Sequence, residues 1–261
     1  MVIVSKWLPI RFSVLYYASG LAEAADTFGV IIGAGVRMLD RVKDAYIAAK
    51  ERWARKMAGQ KPHKPRSANR LPPGQRLVKD FPVLDLGVRP EMPLEKWELK
   101  IQGQVENPVT LTWPQFLALP QFKDISDFHC VTTWSQFDME WEGVSLLTIA
   151  ELVRPKREAR HILFESYDGY STNNPIEVCL DDDVLIAHKW NGKPLSLEHG
   201  GPARVIIPKR YAWKGAKFIH QITFLDRDVL GYWELRGYSN TADPWSEDRF
   251  ADKNSIPPGF P

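Results

Sequence analysis

Short runs in which apolar and polar residues alternate dominate the chain after residue 93, and they limit the possible folds more than any other feature. In the run KWELKIQGQV, Trp97, Leu99 and Ile101 recur at every second position, which is the period of a strand with one buried face. Further strands are predicted at HILFES, PIEVCL, ARVIIP and KFIHQITF, and WNGKPL carries the Asn-Gly signal of a tight hairpin. Helices are expected at TLTWPQFLAL and VSLLTIAELV. Because the strands do not alternate regularly with helices, the pattern predicts an α+β domain rich in antiparallel sheet.

Three segments follow one another along the chain. Residues 1–60 are predicted to form a helical extension, because apolar residues such as Phe28, Ile31 and Ile32 recur there at spacings of three and four. Residues 61–93 are interpreted as a basic, proline-rich linker that leads into the start of the main domain. Residues 94–261 are assigned to that domain.

Composition and charge narrow the function and the location. The formal net charge of +2 over 261 residues gives no reason to expect nucleic-acid binding. Two uncharged runs, residues 12–22 and 27–36, are each about half of the roughly 20 residues that a membrane-spanning helix needs. The N-terminus shows no twin-arginine pair and no secretory leader pattern, so a cytoplasmic location is expected. The alternative is membrane-surface association, or contact with a partner protein, through the helices of residues 1–60.

Several partial motifs lack a required element. FGVIIGAGVRMLD has Met38 where the dinucleotide-binding fingerprint requires a third glycine. HGG at 199–201 is accompanied by no G-x-S-x-G sequence, so a serine hydrolase is not expected. The six histidines show none of the spacings that are typical of zinc sites, and CLDDDV has three adjacent acids without the rest of a calcium-binding loop.

Cys130 and Cys179 are the two cysteines of the chain, which indicates no disulfide framework. Cys130 lies in DFHCVTTWSQFDMEWEG, next to His129 and shortly before Trp134 and Trp141. A free cysteine is most often a buried, inert side chain, and composition leaves that reading open beside a reactive or metal-binding thiol. A cysteine enzyme without metal would need a basic partner. His129 is a poor one, because neighbouring strand residues point to opposite faces.

Two longer stretches, HCVTTWSQFDMEWEGVSLLTIAELV and WNGKPLSLEHGGPARVIIPKRYAWKGAKFIHQITFLD, resemble the molybdopterin-binding domain of the sulfite oxidase family. The short members of that family, which include the catalytic subunits of periplasmic methionine-sulfoxide reductases, are the most similar. The resemblance extends from about Asn69 to GYWELRGYSNTADPW. It implies a β-rich, sulfite-oxidase-like molybdopterin-binding fold with an N-terminal helical extension, and it makes residues 94–261 the molybdopterin-binding catalytic domain.

The resemblance also assigns the site residues. Cys130 matches the catalytic cysteine whose thiolate binds molybdenum in the family, and a thiolate is a soft donor suited to a redox-active metal. The residues that match positions contacting the Mo-molybdopterin cofactor are Asn69, Arg70, Ser166, His199, Arg204, Gly215, Ala216 and Lys217. Arg204 and Lys217 suit the pterin phosphate, because guanidinium and ammonium groups pair with phosphate oxygens. In HGGPAR, Gly200 and Gly201 are expected to let the backbone approach a flat ligand.

The family chemistry implies a molybdenum oxidoreductase that performs two-electron oxygen-atom transfer at a small sulfur- or nitrogen-containing substrate. Sulfite oxidases bind their dianionic substrate through arginines, whereas residues 131–153 contain no Lys or Arg and instead carry acids such as Asp138, Glu140 and Glu142. Reduction of an S-oxide or N-oxide is therefore favoured, with sulfite oxidation as the alternative. A metal-free cysteine enzyme and a non-catalytic binding protein are further alternatives. Because no haem-attachment or iron–sulfur cysteine motif is present, a separate redox protein is the expected electron partner.

Overall fold

The structure is a computed structural model that describes residues 70–251. Within that range the strands form two sheets. The first sheet contains β1 (Arg76–Leu77), β4 (Gln121–Cys130), β5 (Trp134–Ser145), β8 (Leu185–Trp190), β9 (Lys193–Pro194) and β10 (Arg204–Ile206). The second contains β2 (Glu98–Gly103), β3 (Val109–Thr112), β6 (His161–Ser166), β7 (Ser171–Pro175) and β11 (Ile219–Leu225), in the order β3–β2–β11–β6–β7.

Antiparallel pairing dominates both sheets. Only the pairs β1–β5 and β2–β11 are parallel among the strand pairs of the described residues. Strand β5 is the centre of the first sheet, because β4 pairs with one of its edges while β1 and β8 pair with the other. This arrangement agrees with the β-rich α+β domain that the alternating runs predict.

Most of the predicted strands are confirmed. In β2, Leu99 and Ile101 are fully buried while the residues between them face outward, so the alternation does mark a sheet face. HILFES, ARVIIP and KFIHQITF contain β6, β10 and β11. The Asn-Gly hairpin joins β8 to β9, and both Asn191 and Gly192 have the positive φ angles that its two-residue turn requires.

Three α-helices lie within the described residues: α1 (Trp113–Ala118), α2 (Leu146–Val153) and α3 (Ile176–Cys179). The first two were expected, and α2 begins after Ser145, whose hydroxyl oxygen accepts a hydrogen bond from the Leu147 amide at 3.1 Å. The strand predicted at PIEVCL is wrong, because α3 occupies this run. Pro175 has the φ of −56° that suits a helix start, and Glu177 lies in the first turn, where a carboxylate is favourable.

The extension predicted at residues 1–60 and the position of Asn69 lie outside the described residues. The boundary at 60 therefore stays a prediction. The boundary at 93 lies within the described residues and stays a prediction as well. Within the described part of the chain, no helix has the length and apolar character needed to cross a membrane.

The tail, residues 231–250, is rich in aromatic residues and packs over the domain as irregular structure. It contains a single 3₁₀ turn at Glu234–Arg236 within residues 231–250. Tyr238 and Ala242 are buried, and they pack in one cluster with Tyr211 and Trp213. The tail thus places aromatic side chains against the loop that follows β10.

The first sheet positions the main candidate residues. Cys130 is the last residue of β4, and Arg204 is the first residue of β10, with β5 and β8 between these two strands. The side chain of Cys130 belongs to the apolar cluster of this sheet, which also contains Trp134 and Trp141. Trp141 is completely buried and acts as a core residue, whereas Trp134 also faces the cavity described next.

Candidate active site

A cavity of about 380 Å³ lies at the end of β4. Its wall comes from the end of β4 and the starts of β5 and β10, together with the segment 81–86, the turn after β4, the β6–β7 turn, the residues 212–217 and the tail. Cys130, Arg204, Gly215 and Lys217 all line it. Four residues that the sequence assigns to metal or cofactor are therefore gathered around one cavity.

Cys130 is buried but faces this cavity. Its Sγ lies 3.1 Å from the Thr132 hydroxyl oxygen. Burial raises the pKa of the thiol, although the Thr132 hydroxyl and the charges of Arg204 and Lys217 act in the opposite direction. A free thiolate would thus be unfavourable here, whereas coordination to a metal keeps a cysteine deprotonated.

No histidine is placed to activate the thiol within residues 70–251. The ring of His129, the sequence neighbour of Cys130, bonds through Nδ1 to the Ser135 hydroxyl at 2.8 Å. Cys179 is a second free thiol, fully buried in α3 and absent from the cavity wall. These placements speak against a cysteine–histidine pair and favour a ligand role for Cys130.

Arg204 is a buried cation without an acidic partner in the described structure. Its side chain is only 3% exposed, and Nη1 donates to the His199 carbonyl oxygen at 3.0 Å. Its Nε is buried and has no hydrogen-bond partner among the described residues. Burial lowers the pKa of the guanidinium to about 10. Since an uncompensated buried charge is costly, this site calls for an anion.

Lys217 provides a second cation at the cavity. Its Nζ donates to the carbonyl oxygens of Leu84 and Glu198 at 2.6 and 2.7 Å. Burial, followed by the neighbouring charge of Arg204, lowers the pKa of the ammonium group to about 8. Two cations held this way with neutral acceptors suit a phosphate group.

The glycines serve packing as well as ligand approach. At Gly200, where φ is +100°, an added Cβ would lie 2.8 Å from the Lys217 Cγ, so the missing side chain makes room for the lysine. At Gly215 an added Cβ would lie 2.4 Å from the Val205 carbonyl oxygen. The missing side chain therefore lets the cavity-lining backbone lie close to β10. Ala216 is buried behind it, and its carbonyl accepts from the Val205 amide.

Ser166 and His199 lie behind the wall of the cavity. The Ser166 hydroxyl is buried without a hydrogen-bond partner among the described residues, so it has a free donor to offer. The two ring nitrogens of His199 bond to the Ser196 hydroxyl and the Phe81 carbonyl, and its ring stacks on Phe81 at 4.3 Å. His199 therefore supports Arg204 through its carbonyl oxygen, while both of its ring nitrogens are already bonded within the protein.

Arg70 differs from its prediction as a cofactor contact. Its guanidinium pairs with the carboxylates of Asp127 and Asp138 and lies 4.3 Å above the Phe137 ring. These contacts raise the pKa of Arg70, and the residue does not line the cavity. Two carboxylates already neutralise its charge, which the sequence cannot show because both acids are more than 50 residues away.

The structure adds cavity residues that the sequence does not single out. They are Asp168 and Tyr170 of the β6–β7 turn, and Trp213, Trp233 and Tyr238. Burial raises the pKa of the Asp168 carboxyl group. The aromatic richness of the tail was the one available signal for Trp233 and Tyr238, but without a period it gave no direction for their side chains.

The observed donor set fits the cofactor that the resemblance implies. Cys130 would hold the metal, while Arg204, Lys217 and the Gly215 backbone would hold the anionic pterin part. The unpartnered Arg204 Nε is a buried polar group in the cavity wall that such a ligand would satisfy. Among residues 70–251, no group of three or more His, Cys, Asp and Glu side chains could hold a metal ion.

Comparisons with known proteins identify the family. The family model of the oxidoreductase molybdopterin binding domain matches residues 86–233. The uncharacterized oxidoreductase YuiH of Bacillus subtilis (strain 168) is 38% identical over 184 residues, which cover 70% of this chain and 93% of that protein. The protein-methionine-sulfoxide reductase catalytic subunit MsrP of Campylobacter jejuni is 27% identical over 183 residues, with 61% of each chain covered.

A solved structure supports the fold. The sulfane dehydrogenase SoxCD from Paracoccus pantotrophus matches with a TM-score of 0.50 and 24% identity, over 54% of this chain and 41% of that chain. Together, this fold and this cavity define an oxidoreductase that works with a bound metal cofactor. The chain belongs to the sulfite-oxidase-like family of molybdopterin-binding oxidoreductases, and it is an enzyme whose cofactor is Mo-molybdopterin.

Proposed function

We propose that this enzyme reduces a small S-oxide or N-oxide, with Cys130 as the protein ligand of molybdenum. For a sulfoxide, the overall reaction consumes two electrons and two protons and yields a thioether and water. The bound cofactor supplies the oxygen-atom transfer and the electron storage. The chain holds the cofactor and positions the substrate.

The charge of the cavity wall carries this proposal. Arg204 and Lys217 are the cationic side chains in the wall formed by the described residues, and both are suited to the cofactor's anionic part. Lys209 pairs with Asp181 at 2.7 Å, and Lys214 is completely buried beside Glu234. With the cofactor in place, little positive charge remains in the wall for a dianion such as sulfite.

The remaining wall suits a neutral, polarisable substrate. Tyr238 contacts Trp213 and Trp233 with ring centroids 5.3 and 5.0 Å apart, and all three rings face the cavity. Aromatic faces and edges form favourable contacts with sulfur, worth roughly 0.3–1.5 kcal/mol each. The aromatic wall is therefore the proposed substrate contact.

The electron partner is proposed to be a separate redox protein, and residues 1–60 are proposed as the part that docks it or lies on a membrane surface. A cytoplasmic location is proposed as well. Fractionation of cells that express the full chain, and of cells that express residues 61–261, tests the location and the role of residues 1–60. We expect the truncated protein to lose its association with the membrane or with the partner.

A comparison of two reactions tests the proposed activity. The purified holoenzyme is supplied with reduced viologen and either methionine sulfoxide or trimethylamine N-oxide, and separately with sulfite and ferricyanide. Oxide reduction that disappears in Cys130→Ser supports the proposal. Faster sulfite oxidation than oxide reduction would overturn the substrate assignment, and full activity in molybdenum-free protein would overturn the metal chemistry.

A further inference from the structure

Gln75 reaches the backbone of Cys130 from a separate segment of the chain. It follows the turn that begins at Pro72 and directly precedes β1. Its side-chain Nε2 donates to the Cys130 carbonyl oxygen at 3.1 Å. The same carbonyl accepts from the Thr133 amide at 3.2 Å, across the turn that joins β4 to β5. Two donors thus fix the peptide group that leaves Cys130.

The amide of Gln75 is itself held in place. Its Oε1 accepts from the Ser135 hydroxyl at 3.3 Å, and the Ser135 oxygen lies 2.8 Å from His129 Nδ1. Ser135 is fully buried and His129 is 5% exposed, whereas Gln75 is partly exposed. The result is one series of hydrogen bonds, anchored in the core at Ser135, that begins at His129 and ends at the Cys130 carbonyl.

The donor and acceptor in each of these hydrogen bonds follow from the carbonyl oxygen of Cys130, where the series ends. A carbonyl oxygen can only accept, so the NH₂ group of Gln75 must face Cys130 and Oε1 must face Ser135. The single hydroxyl proton of Ser135 then goes to Oε1, and His129 must donate through Nδ1–H. Each of these three hydrogen bonds thus has one donor and one acceptor. Reversing the Gln75 amide would set its Oε1 against the Cys130 carbonyl oxygen.

We propose that Gln75 is a positioning residue that sets the orientation of the Cys130 side chain toward the metal. This inference rests on the proposed role of Cys130 as the molybdenum ligand. Fixing the carbonyl side of Cys130 limits rotation of its backbone, and hence the direction in which Sγ enters the cavity. Hydrogen-bonded groups beyond the ligands of a metal tune its properties in this way, and their loss commonly costs roughly 10- to 100-fold in affinity or activity.

A purely structural role for Gln75 would be redundant. Arg76 and Val78 already bond through their amides to the Thr133 and Ser135 carbonyls, each at 2.9 Å, and these bonds tie the segment to β5. Replacing the Gln75 side chain should therefore leave the sheet intact. Gln136 offers a matched control, because its Nε2 also donates to a backbone carbonyl, that of Lys79, at 3.2 Å and without contact to Cys130.

The test compares Gln75→Leu with Gln136→Leu in the holoenzyme. Molybdenum content, the sulfur-to-molybdenum charge-transfer band and the Mo(V) EPR g-values are measured besides kcat. In Gln75→Leu, with metal retained, we expect a shifted band, altered g-values and a kcat reduced roughly 10- to 100-fold. In Gln136→Leu we expect the wild-type spectrum. An unchanged spectrum in Gln75→Leu overturns the inference.

Two further variants keep the test decisive. If Gln75→Leu does not fold, Ser135→Ala removes the donor that holds Oε1, and an unchanged band in that variant overturns the inference. Cys130→Ser separates the positioning role of Gln75 from the ligand role of Cys130. If it abolishes the band while Gln75→Leu leaves it unchanged, only the positioning role fails. If Cys130→Ser keeps the wild-type band, the ligand assignment itself fails.

Discussion

Lys214 and Glu234 form an ion pair from which water is excluded, with Nζ and Oε1 2.6 Å apart and side chains 0% and 1% exposed. The pair joins the loop after β10 to the tail. Each partner directly follows a tryptophan of the cavity wall, Trp213 in one case and Trp233 in the other. The Thr172 hydroxyl donates to the same Glu234 oxygen, and Lys214 also donates to the Asn173 side-chain oxygen. The pair therefore fixes the position of the aromatic wall.

Breaking this pair from one side should destabilise the fold strongly. Lys214→Met leaves the Glu234 carboxylate buried without its cation, so the free energy of unfolding should fall by about 3–5 kcal/mol, whereas the double variant with Glu234→Leu should recover most of this loss. Urea denaturation measures both. The control is Lys209→Met, which breaks an exposed pair and should cost at most about 1 kcal/mol. Equal losses in Lys214→Met and Lys209→Met would contradict this account.

Removing the buried charge of Arg204 should stabilise the cofactor-free protein and weaken cofactor binding. The lowered pKa of Arg204 means that the fold disfavours its charged form at every pH below about 10. Arg204→Met should therefore raise the free energy of unfolding of the apoprotein by about 1–3 kcal/mol near pH 7. Urea denaturation of the apoprotein and fluorescence of the released, oxidised pterin provide the measurements. A less stable variant that retains its full pterin content would show that Arg204 has a structural role instead.

Cofactor uptake should depend on pH through Lys217. Because the pKa of its ammonium group is lowered to about 8, the charge is present below that pH and is lost as the pH rises through it. Uptake of the cofactor by apoprotein should thus decline between pH 7 and pH 9. Lys217→Arg, which stays charged across this range, should show no such decline. Titration of apoprotein with released cofactor at several pH values decides between these outcomes, and equal pH profiles for the two proteins would exclude the lysine as the cause.

The aromatic wall should affect substrate binding more than the chemical step. Trp233→Ala should raise KM for methionine sulfoxide about 2- to 10-fold with a smaller change in kcat, because it removes a contact made to the substrate before and during reaction. Trp245→Ala is the matched control, since Trp245 is 47% exposed and does not line the cavity. Steady-state kinetics on both variants provide the comparison. An equal rise of KM in the two variants would speak against a substrate contact.

Local sequence patterns predict most of the strands, but they do not predict which distant residues come into contact. The alternation in β2 and the Asn-Gly turn depend on neighbouring residues alone, so both appear in the sequence. PIEVCL is apolar enough for a strand, yet Pro175 and Glu177 favour a helix start there, and periodicity over six residues could not separate the two.

The residues of the candidate site likewise fall into two groups: those that the sequence identifies, and those that only the fold brings together. Cys130, Arg204 and Lys217 lie in stretches whose resemblance to a family identifies them directly. Gln75 and Asp168 come from separate turns of the chain. Only the fold brings Asp168 to the cavity wall and Gln75 to the carbonyl of Cys130. The sequence likewise gives no sign that Arg70 pairs with two carboxylates, because both partners are distant in sequence.

X-ray absorption at the molybdenum edge tests the central claim most directly, by counting sulfur atoms bound to the metal in wild-type protein and in Cys130→Ser. We expect one fewer sulfur in the variant, because the Cys130 thiolate is the ligand that the chain contributes. The same sulfur count in both proteins would contradict the claim.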